Sequence, residues 1–120
     1  MAVTLQTNAR NAACNAIAGL LNGGTLEFQT GASAEVATIG FSATAFGAAV
    51  AGVATANALT SDTSATGGTT TKFVCKASGG AAVLGGSVGT SGTDIIIDNT
   101  TVASGVTVDL TSFTITVPAS

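Results

Sequence analysis

Asp94 and Asp98 bracket the run Ile95, Ile96, Ile97 and come nearest to a paired-carboxylate motif. On an extended strand both carboxylates point the same way, roughly 13 Å apart. Glycoside hydrolysis holds its two carboxyl groups at most about 9.5 Å apart, so the spacing argues against that chemistry. Asp98 followed by Asn99 reads as a turn signal instead. No loop with alternating oxygen ligands for calcium is present in the sequence. Cys14 and Cys75 are nucleophiles by type, but the chain contains no His to activate them, and the commonest general base is missing with it. The glycine-rich "GGSVGTSG" from residue 85 to 92 is not followed by the Lys-Ser/Thr pair of a phosphate-binding loop. It reads as a loop or a weak strand. "NTT" at Asn99 to Thr101 matches a glycosylation sequon, a coincidence where no secretory leader is expected. The expectation is a protein that is not an enzyme, with no catalytic residue, no cofactor and no metal ligand.

Composition points the same way. Hydrophobic residues make up 46% of the 120 and charged residues 8%, where ordinary domains carry about 25% charged residues. Disorder needs few apolar residues and many charges, so this chain is expected to fold, as a single domain over residues 1–120. Its surface must be built of Thr, Ser, Asn, Gly and Ala, which suits a protein held in an assembly. The net charge is −3, with Arg10, Lys72 and Lys76 as the basic residues. Neutralising a phosphate backbone takes clustered Lys or Arg, so nucleic acid is excluded as a partner, and an anionic membrane surface with it. "MAVTLQTNARNAACNA" lacks a basic start followed by an apolar run, and cytoplasmic synthesis is expected. In that compartment Cys14 and Cys75 are expected to be buried free thiols.

The elements follow from the period of the apolar residues. Residues 7–22 read as a helix capped by Thr7, with Ala13, Ile17, Leu20 and Leu21 on one face, Arg10 and Cys14 beside them, and Gly23 and Gly24 as the stop. Asn8, Asn11 and Asn15 fall on other faces and weaken the helix, so tertiary packing must support it. Beyond Gly24 the period becomes two. Leu26 and Phe28 share a face, as do Ala37, Ile39 and Phe41, then Phe73 and Cys75, then Phe113, Ile115 and Val117. Ser78, Gly79 and Gly80 turn one strand into the next as a hairpin. "TDIIIDN" suits a strand buried on both faces, and "SDTSATGG" from residue 61 to 68 a surface loop. The five phenylalanines are expected in the core.

"ATAFGAAVAGVATANAL", residues 43–59, is the least ordinary stretch. It is too short and too polar for a membrane span, and Gly47 and Gly52 disfavour a helix. Two extended pieces are expected, bending near Gly47, with small side chains that admit a close neighbour. The whole reads as mainly β: an antiparallel β-sandwich over residues 25–118, preceded by a short N-terminal α-helix and an arm over residues 1–6. Val3 and Leu5 lack an obvious internal partner. With Arg10, Gly47 and Gly52 they are the candidate interaction residues.

The order of these features, "LQTNARNAACNAI", "GGTLEFQT", "FSATAFGAAVAGVATANAL" and "GVTVDLTSFTITVP", resembles the small β-rich virion proteins of tailed bacteriophages, especially the head decoration (cement) proteins. The resemblance implies a structural virion protein assembled in the host cytoplasm. Its partners would be the major capsid protein and further copies of itself, as a homotrimer on the capsid surface. It carries over no catalytic or ligand residue. The alternatives are a tail-tube or fibre module of the virion, or a carbohydrate-binding or adhesion β-sandwich. The last is disfavoured because the chain has no Trp or Tyr on which to stack a sugar.

Overall fold

A computed structural model describes residues 3–119. Met1 and Ala2 of the expected arm, and Ser120, lie outside them. Helix α1 spans Thr7–Gly19. Ten strands follow: β1 Thr25–Gln29, β2 Glu35–Phe41, β3 Val53–Thr55, β4 Leu59–Thr60, β5 Gly68–Thr69, β6 Lys72–Lys76, β7 Ala82–Gly89, β8 Ile95–Ile96, β9 Thr101–Val102 and β10 Thr114–Thr116.

The fold is mainly β with one helix. Six strands form one curled, half-barrel sheet in the order β4-β2-β1-β6-β7-β8. All its pairings are antiparallel except β7 with β8, which is parallel. Parallel strands ordinarily need a crossover of a dozen or more residues. Here a loop from Thr90 to Asp94 suffices because β8 is two residues long and Asp94 ties it back. Its Oδ2 accepts hydrogen bonds from the Ser87 backbone N–H (2.9 Å) and Oγ (3.1 Å).

The inner face of the sheet follows the alternation of the sequence. Ile39, Leu26 and Cys75 run across β2, β1 and β6 in register, as do Ala37, Phe28 and Phe73. All six are buried. The hairpin at Ser78–Gly80 forms as expected, with the Gly80 N–H donating to the Ala77 carbonyl. What covers this face is not a full second sheet. It is α1, the ribbon β3–β10, and irregular chain. The reason lies in the Ala-rich stretch 43–59 and the Thr-rich stretch 100–116, which pair in runs of only two or three residues. Phe41, Phe46, Phe73 and Phe113 close the gap as a cluster. Phe113 lies 5.7–6.3 Å, ring centre to ring centre, from each of the other three. Phe28 is buried but stands outside that cluster.

Three local expectations are corrected. The helix is entered at Gln6, whose backbone is extended and caps without its side chain, so Thr7 is already helical and does not cap. It stops at Gly19, three residues early, and its buried side is Cys14, Ala18 and, in the same helical phase, Leu21, so Leu20, whose backbone is still helical, faces solvent. β8 is an edge strand, and alternation therefore buries Ile95 but leaves Ile96 64% exposed, rather than burying both faces. Segment 61–68 is the surface loop expected up to Gly68, where β5 begins, and it is pinned to the chain opposite. Asp62 bridges Val108, the Ala65 N–H donates to the Val106 carbonyl, and Ala65 is buried.

Residues 43–59 are extended, as expected, but the bend lies elsewhere. Val50 and Val53 exchange both backbone hydrogen bonds around Ala51–Gly52, whose φ angles are +51° and +79°. This is a two-residue hairpin turn of the kind that matches the strand twist and demands positive φ at both centres. Gly47 does not bend the chain. Its N–H simply donates to the Thr55 carbonyl on the facing arm.

Candidate interaction surface

The stretch 45–52 is held against the helix by asparagine. Asn11 Oδ1 accepts from the Gly52 N–H (2.8 Å) and Asn15 Oδ1, one turn on, from the Ala49 N–H (2.8 Å). Asn22, just past the helix, accepts from the Ala45 N–H (2.9 Å). Two of the three helix-weakening residues, Asn11 and Asn15, are thus the tertiary support that the helix requires. Ala18 and the other small side chains permit the close approach. Signal for this existed in the sequence as Asn at positions 11 and 15, one helical turn apart, but their partners could not be read from it.

Arg10 gathers the same end of the molecule. Its Nε donates to the Val117 carbonyl and its Nη2 to the Ala51 carbonyl, each at 2.9 Å. Leu5 is tied to the C-terminal segment by its N–H, which donates to the Ala119 carbonyl (2.7 Å). N-terminus, turn and C-terminal strand therefore meet around one guanidinium. Val3 (75% exposed) and Val50 (73% exposed) are the two most exposed large apolar side chains among the described residues, and Leu5 is partly exposed. Of the five candidate residues, Leu5, Arg10 and Gly52 come together here, with Val3 leading in. Gly47 does not, because it sits exposed up the hairpin with no close neighbour. The expected arm shortens too, since Leu5 and Gln6 are anchored by backbone bonds.

The residues with chemical potential are dispersed into structural work. Hydrogen bonds from Ser87 hold the Asp94 carboxyl below the usual carboxylate range. Both cysteines are free and buried. Cys14 Sγ donates to the Ile115 carbonyl, and burial pushes the Cys75 thiol up to about 12, far from a thiolate nucleophile at neutral pH. Lys76 forms an ion pair with Glu27 (3.1 Å), and Lys72 Nζ donates to Ser33 Oγ (2.6 Å). Among the described residues, no three Cys, Asp or Glu side chains gather as a metal site would need.

Sequence reasoning missed a cavity of about 440 Å³ between the sheet and segment 97–109. Phe28 and Ala37, cross-strand partners, form its buried floor, and Val102, Val106 and Val108 its walls. Asp98 and Asp109 stand exposed at its rim. It opens where the covering chain pairs in runs of only two residues.

The chain matches no known protein family, no curated protein and no solved structure.

Proposed function

We propose that the protein is a structural component of a tailed-bacteriophage virion that binds and reinforces the assembled capsid shell as a decoration protein. The observation that carries this reading is the Arg10 end. There, exposed Val50 adjoins the turn that Arg10 ties to the C-terminal segment, and exposed Val3 lies two residues before the anchored Leu5. Exposed large apolar side chains beside such a junction suit an interaction site, and the backbone anchoring of Leu5 and of the Val50–Val53 turn lowers the entropy lost on docking. In this reading the partners are the major capsid protein and two further copies of the chain, on the capsid surface, after assembly in the host cytoplasm. The ribbon β3–β10 then stands as the reduced second sheet of an antiparallel sandwich.

The test is light scattering on the purified protein, followed by co-sedimentation with empty heads and an electron-microscopy map of the decorated particles. A trimer that saturates the heads and is seen on their outer face is expected. A monomer that leaves the heads bare refutes the reading.

A further inference from the structure

We propose that the cavity between the sheet and segment 97–109 binds a primary ammonium carried on an apolar stem, the chemistry of a lysine side chain or of a free alkylamine. The inference is independent of the virion reading. Its volume, about 440 Å³, lies in the range of small-ligand sites, and Ile97, Val102, Val106 and Val108 give it an accessible apolar lining.

The rim supplies the charge. Local structure does not account for Asp98, because the turn role falls to its neighbour. Asn99 Oδ1 accepts the Thr101 N–H (3.0 Å), and Asp98 has no hydrogen-bond partner among the described residues. Asp109 accepts one bond, from Ser61 Oγ (2.7 Å), through Oδ1. No basic residue lines the cavity. The chain's three cations are engaged elsewhere, Arg10 on two carbonyls, Lys72 on Ser33 and Lys76 on Glu27. Two carboxylates without an internal counter-ion at the mouth of a low-dielectric cleft favour a cation and repel an anion. Among the described residues no third acidic side chain gathers with the pair, as a bare divalent ion would favour. A long-stemmed ammonium satisfies both parts, with its methylenes against the apolar lining and its three N–H donors at the rim.

Amide NMR spectra of the intact protein, titrated with n-hexylammonium, n-hexanol and hexanoate, test the proposal. The ammonium should give saturable shifts confined to residues 97–109 and their sheet neighbours. It should bind about three- to tenfold more tightly than the alcohol, the margin set by two exposed ion pairs and narrowing in about 0.5 M salt. Hexanoate should bind weakest. Asp98→Asn, an exposed and isosteric change, should remove part of the ammonium's advantage and leave alcohol binding unchanged. Val106→Phe, which fills the cavity, should abolish both. A short capped lysine peptide separates the sources. Competition with hexylammonium assigns the site to a lysine-bearing chain, and binding of hexylammonium alone assigns it to a free amine. Equal binding of all three hexyl probes, or no saturable shift with the ammonium, overturns the proposal.

Discussion

Asparagine and cysteine carry the residue-scale lessons. An asparagine inside a helix is unfavourable by propensity, yet Asn11 satisfies the N–H of a buried glycine. Asn11→Ala should therefore destabilise the fold by about 1–3 kcal/mol, the cost of a buried donor left without a partner. Asn8 bonds only its own neighbour, the Ala9 N–H, and Asn8→Ala should stay within about 0.5 kcal/mol. Urea melts of both variants read the difference. Cys75 predicts a pH dependence. Its thiol is pushed up to about 12 in the fold, whereas an unfolded thiol loses its proton near about 8.5. Between those values the unfolded chain binds fewer protons, so stability falls as pH rises, and the contribution is complete below that window. The slope attributable to this group reaches about 1.4 kcal/mol per pH unit. Melts between about pH 8 and 10.5 should show a decline that is shallower in Cys75→Ala.

At the scale of elements, the hairpin at Ala51–Gly52 is the sharpest test of the structure. A Cβ on Gly52 would lie 2.8 Å from the Val117 carbonyl oxygen and 2.8 Å from Arg10 Nε, at a φ of +79°. The left-handed backbone costs a side chain about 1–2 kcal/mol, and overpacking adds about 1–3 kcal/mol. Gly52→Ala should thus lower stability by about 2–4 kcal/mol, and Gly52→Val by at least as much. At Gly47 the nearest atom to a new Cβ is the Thr55 carbonyl oxygen at 3.9 Å, an ordinary contact. Gly47→Ala should cost no more than about 0.5 kcal/mol. Thermal melts at fixed protein concentration separate the two sites. A gain in melting temperature for Gly52→Ala would mean that this stretch is not the turn described.

For the molecule as a whole, the Arg10 end is both a fold junction and the proposed docking face, and the two roles can be separated. Removing residues 1–6 would also delete the Leu5–Ala119 bond and the Gln6 carbonyl that accepts the Arg10 N–H, so it would confuse stability with binding. Val3→Ser with Val50→Ser changes only exposed side chains. The pair should leave the melting temperature nearly unchanged and weaken association with empty heads at least tenfold, measured by co-sedimentation. Unaltered association would place the docking face elsewhere on the molecule.

The period of the apolar residues in this sequence determined the helix, the central strands β1, β2 and β6 and their inward faces, and the turn residues Ser78–Gly80 determined the hairpin. Those features depend on neighbours two to four positions apart, and local spacing encodes them directly. Phe41, Phe46, Phe73 and Phe113 could be assigned to a core for the same reason. Tertiary structure alone decided the rest. Whether Asn11 and Asn15 weaken a helix or hold down a distant strand depends on the backbone donors at Gly52 and Ala49, some 34–41 residues away. The bend at Ala51–Gly52 rather than Gly47 depends on Arg10 and Val117, which come from opposite ends of the chain. The parallel β8 depends on one carboxylate tied to Ser87. The cavity exists because segments 28–37 and 97–109 meet without filling the space between them. Spacing along a chain records which side chains share a face. It does not record which distant backbone group each polar atom will meet, and those meetings set the turn, the sheet edge and the pocket.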